Sequence, residues 1–264
     1  MPSIGEVYSQ FAYGGLLQHH REESSQRLLS LGLPAKTHTI ISFPVNNESL
    51  YETKKLGTSN IHLYSVLLTV ELLKYITANI ARDATDVVRI GVISPYSAEY
   101  QAIDKLASQV LESNDKIMIT YGTTHGFQGD ECDIVICVFN PPASGMVRAS
   151  DKVFINKINI LNVAISRAKD YSIVLIPDKE YKFFDEMFRI KRLGKLIMAT
   201  KNCQTFSAGN IENLIFGESA HIEKSAYVTS HQTTNVYADH FCKYEIRISD
   251  DAMDIQVNDL IENE

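Results

Sequence analysis

Cysteine is scarce and poorly spaced for chemistry: the four thiols, Cys132, Cys137, Cys203 and Cys242, form no C-x-x-C pair. Thiolate metal sites draw two ligands from within a few residues, so a structural zinc is not expected and reduced, buried thiols are. The eight histidines are scattered apart from the pair His19 and His20. No uninterrupted apolar run approaches the roughly 18 residues of a bilayer span. The opening MPSIGEVYSQ has neither the basic region nor the apolar core of a signal peptide. A cytoplasmic protein without membrane association is therefore expected. Also missing are the G-x-x-x-x-G-K-[ST] phosphate loop, a G-x-G-x-x-G turn after a strand, the G-x-S-x-G elbow and the H-E-x-x-H helix. No self-contained nucleotidase, dehydrogenase, hydrolase or metalloprotease announces itself.

The chain has 264 residues, 45% of them hydrophobic and 22% charged, which excludes disordered and fibrous classes and allows a large core. Its net charge of −7 is uneven. From residue 203 onward there are 3 Lys/Arg against 11 Asp/Glu, leaving 22 against 21 for residues 1–202. An acidic tail repels phosphate backbones, so contact with nucleic acid is expected through the first 200 or so residues.

Apolar positions at helical spacing (Leu63, Val66, Leu67, Val70, Leu73, Ile76, Ile80) predict a long amphipathic helix over 62–82. A β-branched strand over 87–95 closes at Pro95, and a helix follows from Ser97. Further strands are expected at 117–121, 133–139 and 171–176, with helices near 157–168 and 179–192. Apolar strands alternating with helices predict an α/β fold: a mostly parallel sheet with helices on both faces. Ligands are then expected in loops at the carboxyl ends of the strands, after 94, around 121–131 and after 176. Residues 44–60 and 140–152 have the polar composition of surface connections. From about 205, short Tyr, Val, Thr and Ile runs predict two to four short strands. Two units follow: 1–202, and an acidic, β-rich C-terminal extension over 203–264.

Three stretches carry the chemistry: IGVISPYSAEYQ (90–101), TTHGFQGDECDIVI (123–136) and LNVAISRAKDYSIVLI (161–176). In the second, Gly126 and Gly129 permit a tight turn and close approach to a ligand, while Gln128 and Glu131 can hydrogen-bond polar nucleotide groups. In the first, Ser94, the ring of Tyr96 and the amides opening the next helix suit a phosphate of a single strand. Arg167 has the rigid, permanently charged fork that suits phosphate. Plainer readings stand beside these: polar turn residues before a strand, a packed tyrosine, and an arginine paired with a nearby acid.

Taken in order, the three stretches resemble the second RecA-like domain of superfamily 1 helicases, in the branch of the nonsense-mediated-decay helicase and its bacterial relatives. The opening MPSIGEVYSQFAYGGLL is similar to that family's Tyr-Arg-Met-(His)-Pro segment and the Phe-Tyr-x-Gly-x-Leu after it. The resemblance covers residues 1 to about 178 and implies a RecA-like fold. It implies that Arg167 acts as an arginine finger on the γ-phosphate of ATP, that Gln128, Gly129 and Glu131 face the nucleotide, and that Ser94, Pro95, Tyr96, Thr123, Thr124 and His125 contact single-stranded nucleic acid. It implies ATP and Mg2+ as cofactors of the complete protein, with the metal ligands outside this chain. The implied partner is a first RecA-like domain, on the same polypeptide or an upstream fragment. Without a phosphate loop, the chain alone is not expected to hydrolyse ATP.

Two positions depart from the pattern. Where the family frequently has Ser-x-x-Asn-x-x-Glu-Ala before its long helix, Ser59 is followed by His62, Ser65 and Val66. Where it often has Gln four residues after the proline, this sequence has Glu99. These departures leave a second expectation open: a non-catalytic nucleic-acid-binding or interaction module that retains a helicase fold.

Overall fold

The structure, a computed structural model, describes residues 1–18, 22, 27, 29–34, 36–83, 85–127, 131–143, 153–230, 242–249 and 252–258. In chain order the elements are α1 (Pro2–Ala12), β1 (His38–Phe43), β2 (Thr53–Leu56), β3 (Ser59–His62), α2 (Leu63–Asp83), β4 (Val88–Ser94), α3 (Ser97–Val110), β5 (Ile117–Thr123) and β6 (Cys132–Val138). A 3-10 turn (Phe154–Asn156) leads to α4 (Ile158–Ser166), β7 (Ala168–Pro177), α5 (Phe188–Ala199), β8 (Cys203–Ser207), α6 (Ala208–Phe216), α7 (His221–Ser225), β9 (Ala226–Ser230), β10 (Tyr244–Ile248) and β11 (Met253–Val257).

Six strands form one sheet in the order β5-β4-β6-β7-β1-β8, and every pairing in it is parallel. Alternation along the strands sends side chains to two cores, which is why both faces need cover. Ile90, Val92, Ile134, Ile136 and Ile173 meet α2 and α3 on one face. Ile93, Val135, Cys137 and Val174 meet α1, α4 and α5 on the other. The expected α/β fold of RecA-like type, a mostly parallel sheet covered on both sides, is what the structure has, with a small separate three-stranded sheet β11-β10-β9 towards the C-terminus.

Several expectations are corrected. The stretch 44–60 is only partly a loop, because Thr53–His62 folds as an antiparallel hairpin of β2 and β3, turning at Gly57 with φ of 58°. The helix expected at 179–192 starts at Phe188: the Asp178 carboxylate accepts from the amides of Glu180 and Tyr181, holding that segment in turns. The helices α6 and α7 fall in a region read as strands alone. Most of 140–152 lies outside the described residues. By length and mean hydropathy, 1.2 over Leu63–Arg82, α2 could cross a membrane, although no unbroken apolar run signals it; 72% of that window is buried inside the protein.

The division expected at residue 202 falls between α5 and β8, so the sheet's edge strand lies beyond it. Ile211, Ile222, Tyr244 and Ile246, all essentially inaccessible, share one core with α2. Glu71 on α2, 4% exposed, accepts from both Lys243 and the Tyr244 hydroxyl. Tyr64 on α2 donates to Glu212 on α6.

Candidate functional site

β5 ends at Thr123 and β6, parallel to it one strand away, begins at Cys132, so residues 124–131 must return along the sheet from carboxyl to amino ends. Phe127, 1% exposed, anchors that return over the side of the sheet carrying α1 and α4. Room for its ring comes from two glycines on adjacent strands. A Cβ on Gly91 would stand 2.9 Å from Phe127 Cε1, and one on Gly122 would stand 3.1 Å from Cε2. Gly126, expected to be needed for the turn, has no positive φ and only ordinary space around it. Gly91 and Gly122 were legible only as strand glycines, which is a generic sign of close backbone approach.

The return joins two ends of the sheet, separated by the length of β4, roughly 20 Å at about 3.3 Å per residue. Glu131 and Arg167 sit at the amino ends of β6 and β7, because these motif residues precede those strands rather than follow them. Cys132 N–H donates to the Arg167 carbonyl at 2.9 Å, so Arg167 and the end of the return are hydrogen-bonded neighbours. Arg167 caps α4 with φ −77° and ψ −18°. Its Nε donates to Val163 O at 3.3 Å and its Nη2 to Ser166 Oγ at 3.1 Å. A guanidinium at a helix carboxyl terminus is favourable, and here the half-buried fork leans on its own last turn. Glu131 is exposed, with Oε2 3.6 Å from Lys169 Nζ. Gln128 and Gly129 lie outside the described residues.

At the other end, Ser94 closes β4 ahead of Pro95 and Tyr96, and Thr123, its register partner, closes β5 ahead of Thr124 and His125. The structure brings these six residues to one end, in graded exposure. Ser94 is fully buried and its Oγ accepts from Tyr96 N–H at 3.2 Å, shaping the turn into α3. Tyr96 is 7% exposed, its ring packed 5.9 Å from that of Phe154, and burial pushes its phenol pKa up. Thr124 is buried, Thr123 half-buried and His125 exposed. Among the described residues, Tyr96 OH, Thr124 Oγ1 and the side-chain amide of Asn140 are buried here with no hydrogen-bond partner. Asn140, two residues beyond β6, carried no signal in the sequence. Orphaned groups of this kind are costly and mark places where a ligand or rearrangement is accommodated.

The two departures from the family pattern turn out to be one contact. The carboxylate of Glu99, completely buried in the first turn of α3, accepts from Ser65 Oγ at 2.6 Å and from His62 N–H at 2.7 Å. Burial raises its pKa from 4.5 to about 8, against the lowering effect of those two hydrogen bonds. The acid absent at position 65 is thus supplied across the interface by position 99. His62 completes the cluster: Nδ1 is 3.1 Å from Ser65 Oγ and Nε2 is 2.9 Å from Tyr51 O. The cluster is out of reach of solvent.

A family profile described as an AAA domain matches residues 1–179. The chain is also similar to the DNA polymerase alpha-associated DNA helicase A of Saccharomyces cerevisiae, 35% identical over 89 residues. That match covers 33% of this chain and 12% of the yeast protein, so the aligned part is a small fraction of the relative's length.

Proposed function

We propose, from the premise that this chain belongs to the AAA domain family as a superfamily 1 helicase-like domain, that it is the carboxy-terminal motor lobe of an ATP-dependent helicase of the nonsense-mediated-decay branch. The supporting observation is the 2.9 Å hydrogen bond from Cys132 N–H to Arg167 O. It makes the arginine and the return segment from the strand-binding end one unit. A charge felt at Arg167 is thereby coupled mechanically to Thr123–His125 through a segment pinned by Phe127.

ATP with Mg2+, held chiefly by a first lobe, would supply the phosphoanhydride bond that is cleaved. Arg167, a guanidinium that never loses its charge, offers a planar fork to the developing negative charge on the γ-phosphate. To do so it would turn away from Val163 O and Ser166 Oγ, which it now meets at 3.3 and 3.1 Å. Glu131 and, outside the described residues, Gln128 and Gly129 would line the same cleft. Ser94–Tyr96 and Thr123–His125 would hold single-stranded nucleic acid. Ser94 would act there through the turn it shapes, and His125 by direct contact.

In the complete two-lobed protein, Arg167→Ala is expected to lower ATP turnover by about 10³-fold or more while leaving nucleotide binding within a few-fold. Arg167→Lys should rescue little, because an ammonium lacks the bidentate fork. Turnover unchanged in Arg167→Ala would remove the finger role. The isolated 264-residue chain is expected to show no ATPase activity.

A further inference from the structure

Beyond β7 lies a row of rings and cations of which the function above uses only Tyr96. Two tyrosines, Tyr96 and Tyr181, are each 7% exposed, and they stand near enough to interact electrostatically. Each of these buried rings touches an outer, half-buried one: Tyr96 meets Phe154 at 5.9 Å, and Tyr181 meets Phe183 edge-on at 5.8 Å. Each outer ring carries an exposed lysine, Lys157 Nζ at 5.4 Å from the Phe154 centroid and Lys182 Nζ at 4.9 Å from that of Phe183. The two halves are tied together, since Asn156 Nδ2 donates to Glu186 O at 2.8 Å.

We propose that this row is a second stretch of the single-strand path: bases stack on Phe154 and Phe183 while Lys157 and Lys182 swing from the ring faces to the flanking phosphates. The proposal rests on the reading that Tyr96 and His125 mark a strand-binding end.

Three observations favour nucleic acid over another occupant. Rings paired with flexible ammonium groups match the alternation of base and phosphate along a single strand. The row is continuous with the candidate strand-binding end through the Tyr96–Phe154 contact, next to the orphaned Tyr96 hydroxyl. The charge is locally reversed: residues 177–201 hold seven Lys/Arg against four Asp/Glu in a chain of net −7. An exposed cation over a ring is held by only about 0.5–1 kcal/mol, so releasing it to a phosphate costs little.

The sequence contains no tryptophan, so Phe183→Trp and Phe154→Trp each introduce a single fluorophore at the proposed stacking positions. With the full chain at low salt, oligothymidylate and oligouridylate of about 12 nucleotides should quench either fluorophore saturably, at the midpoint seen by anisotropy of a labelled oligonucleotide. The DNA and RNA arms report which sugar is preferred. Lys157→Gln with Lys182→Gln, both surface changes that leave folding intact, should lower the slope of log K against log salt by about 1.4, two phosphates at about 0.7 each. Phe183→Leu should weaken binding about tenfold or more. Binding by the unmodified chain with no quenching in either tryptophan variant, or with an unchanged salt slope in the lysine pair, overturns the row and leaves the strand-binding end standing. Equal quenching by polyglutamate would overturn it in favour of an acidic polypeptide. No salt-dependent binding by the unmodified chain would instead overturn the underlying strand-binding reading.

Discussion

Glu99 sets how the molecule responds to pH. Its carboxyl is held at about 8 rather than 4.5, so between those values the folded protein keeps a proton that the unfolded chain has lost, and stability falls as pH rises through that window. His38 and His62, both buried and lowered by burial from 6.5 to about 4, act in the opposite sense. The unfolded chain takes up protons between about 6.5 and 4 that the folded state refuses, so stability falls as pH drops. Above pH 6.5 only Glu99 among these three still titrates. Urea unfolding should therefore show stability declining from pH 6.5 to 8 and levelling beyond. Glu99→Gln can accept from His62 N–H and donate to Ser65 Oγ, which still donates to His62 O at 2.9 Å. It should flatten that decline and raise stability at pH 8.5 by about 1 kcal/mol or more. An identical profile for the variant would show that the carboxyl is ionised in the fold. In the sequence, Ser65 and Glu99 read as two separate departures from a pattern. Nothing in spacing says that residues 34 apart share one hydrogen bond.

The return between β5 and β6 is the element on which the proposed coupling of the two sheet ends would depend. It was legible as a polar, glycine-bearing turn before a strand, although Gly126 has no positive φ there and Gly129 lies outside the described residues. Phe127 is what fixes the segment, and Gly91 and Gly122 are what admit its ring. In Gly91→Ala the new methyl would also stand 3.0 Å from Cys132 Sγ. Both neighbours are buried in a packed core, so the expected cost is about 1–3 kcal/mol in denaturant midpoint. Phe127→Leu should recover part of that loss in the Gly91→Ala background while being destabilising by itself, a sign of direct coupling. Strictly additive effects would mean that the ring and the glycine do not meet. Other elements show how far periodicity reaches. The predicted helix over 62–82 is observed at Leu63–Asp83, and the predicted strand over 133–139 at Cys132–Val138. The predicted helix over 179–192 failed where an aspartate side chain competed for the amides of its first turn.

For the whole molecule, the acidic tail is the open question of architecture. Composition suggested a unit of its own from residue 203, yet β8 completes the main sheet. Isoleucines and Tyr244 from the tail fill the core around α2, where Lys243 and Tyr244 neutralise the buried Glu71. A fragment ending at residue 202 would expose to water the apolar face of α2 that Ile211, Ile222, Tyr244 and Ile246 cover, a contiguous patch prone to association. Such a fragment is expected to aggregate or to lose cooperative thermal unfolding. A fragment that unfolds cooperatively near the melting temperature of the full chain would establish two independent units.

The sequence by itself determined the parallel α/β sheet and the order of the chemical motifs along it, because hydrophobic period, turn residues and motif spacing are local quantities carried by neighbouring residues. Only the tertiary structure decided that Arg167 and the loops at Ser94–Tyr96 and Thr123–His125 occupy opposite ends of that sheet, that Glu99 answers Ser65, and that Phe154 and Phe183 each carry a lysine over the ring. The first two outcomes rest on contacts between segments tens of residues apart, whose partners are selected by packing, burial and the need to satisfy buried polar groups rather than by anything adjacent in the chain.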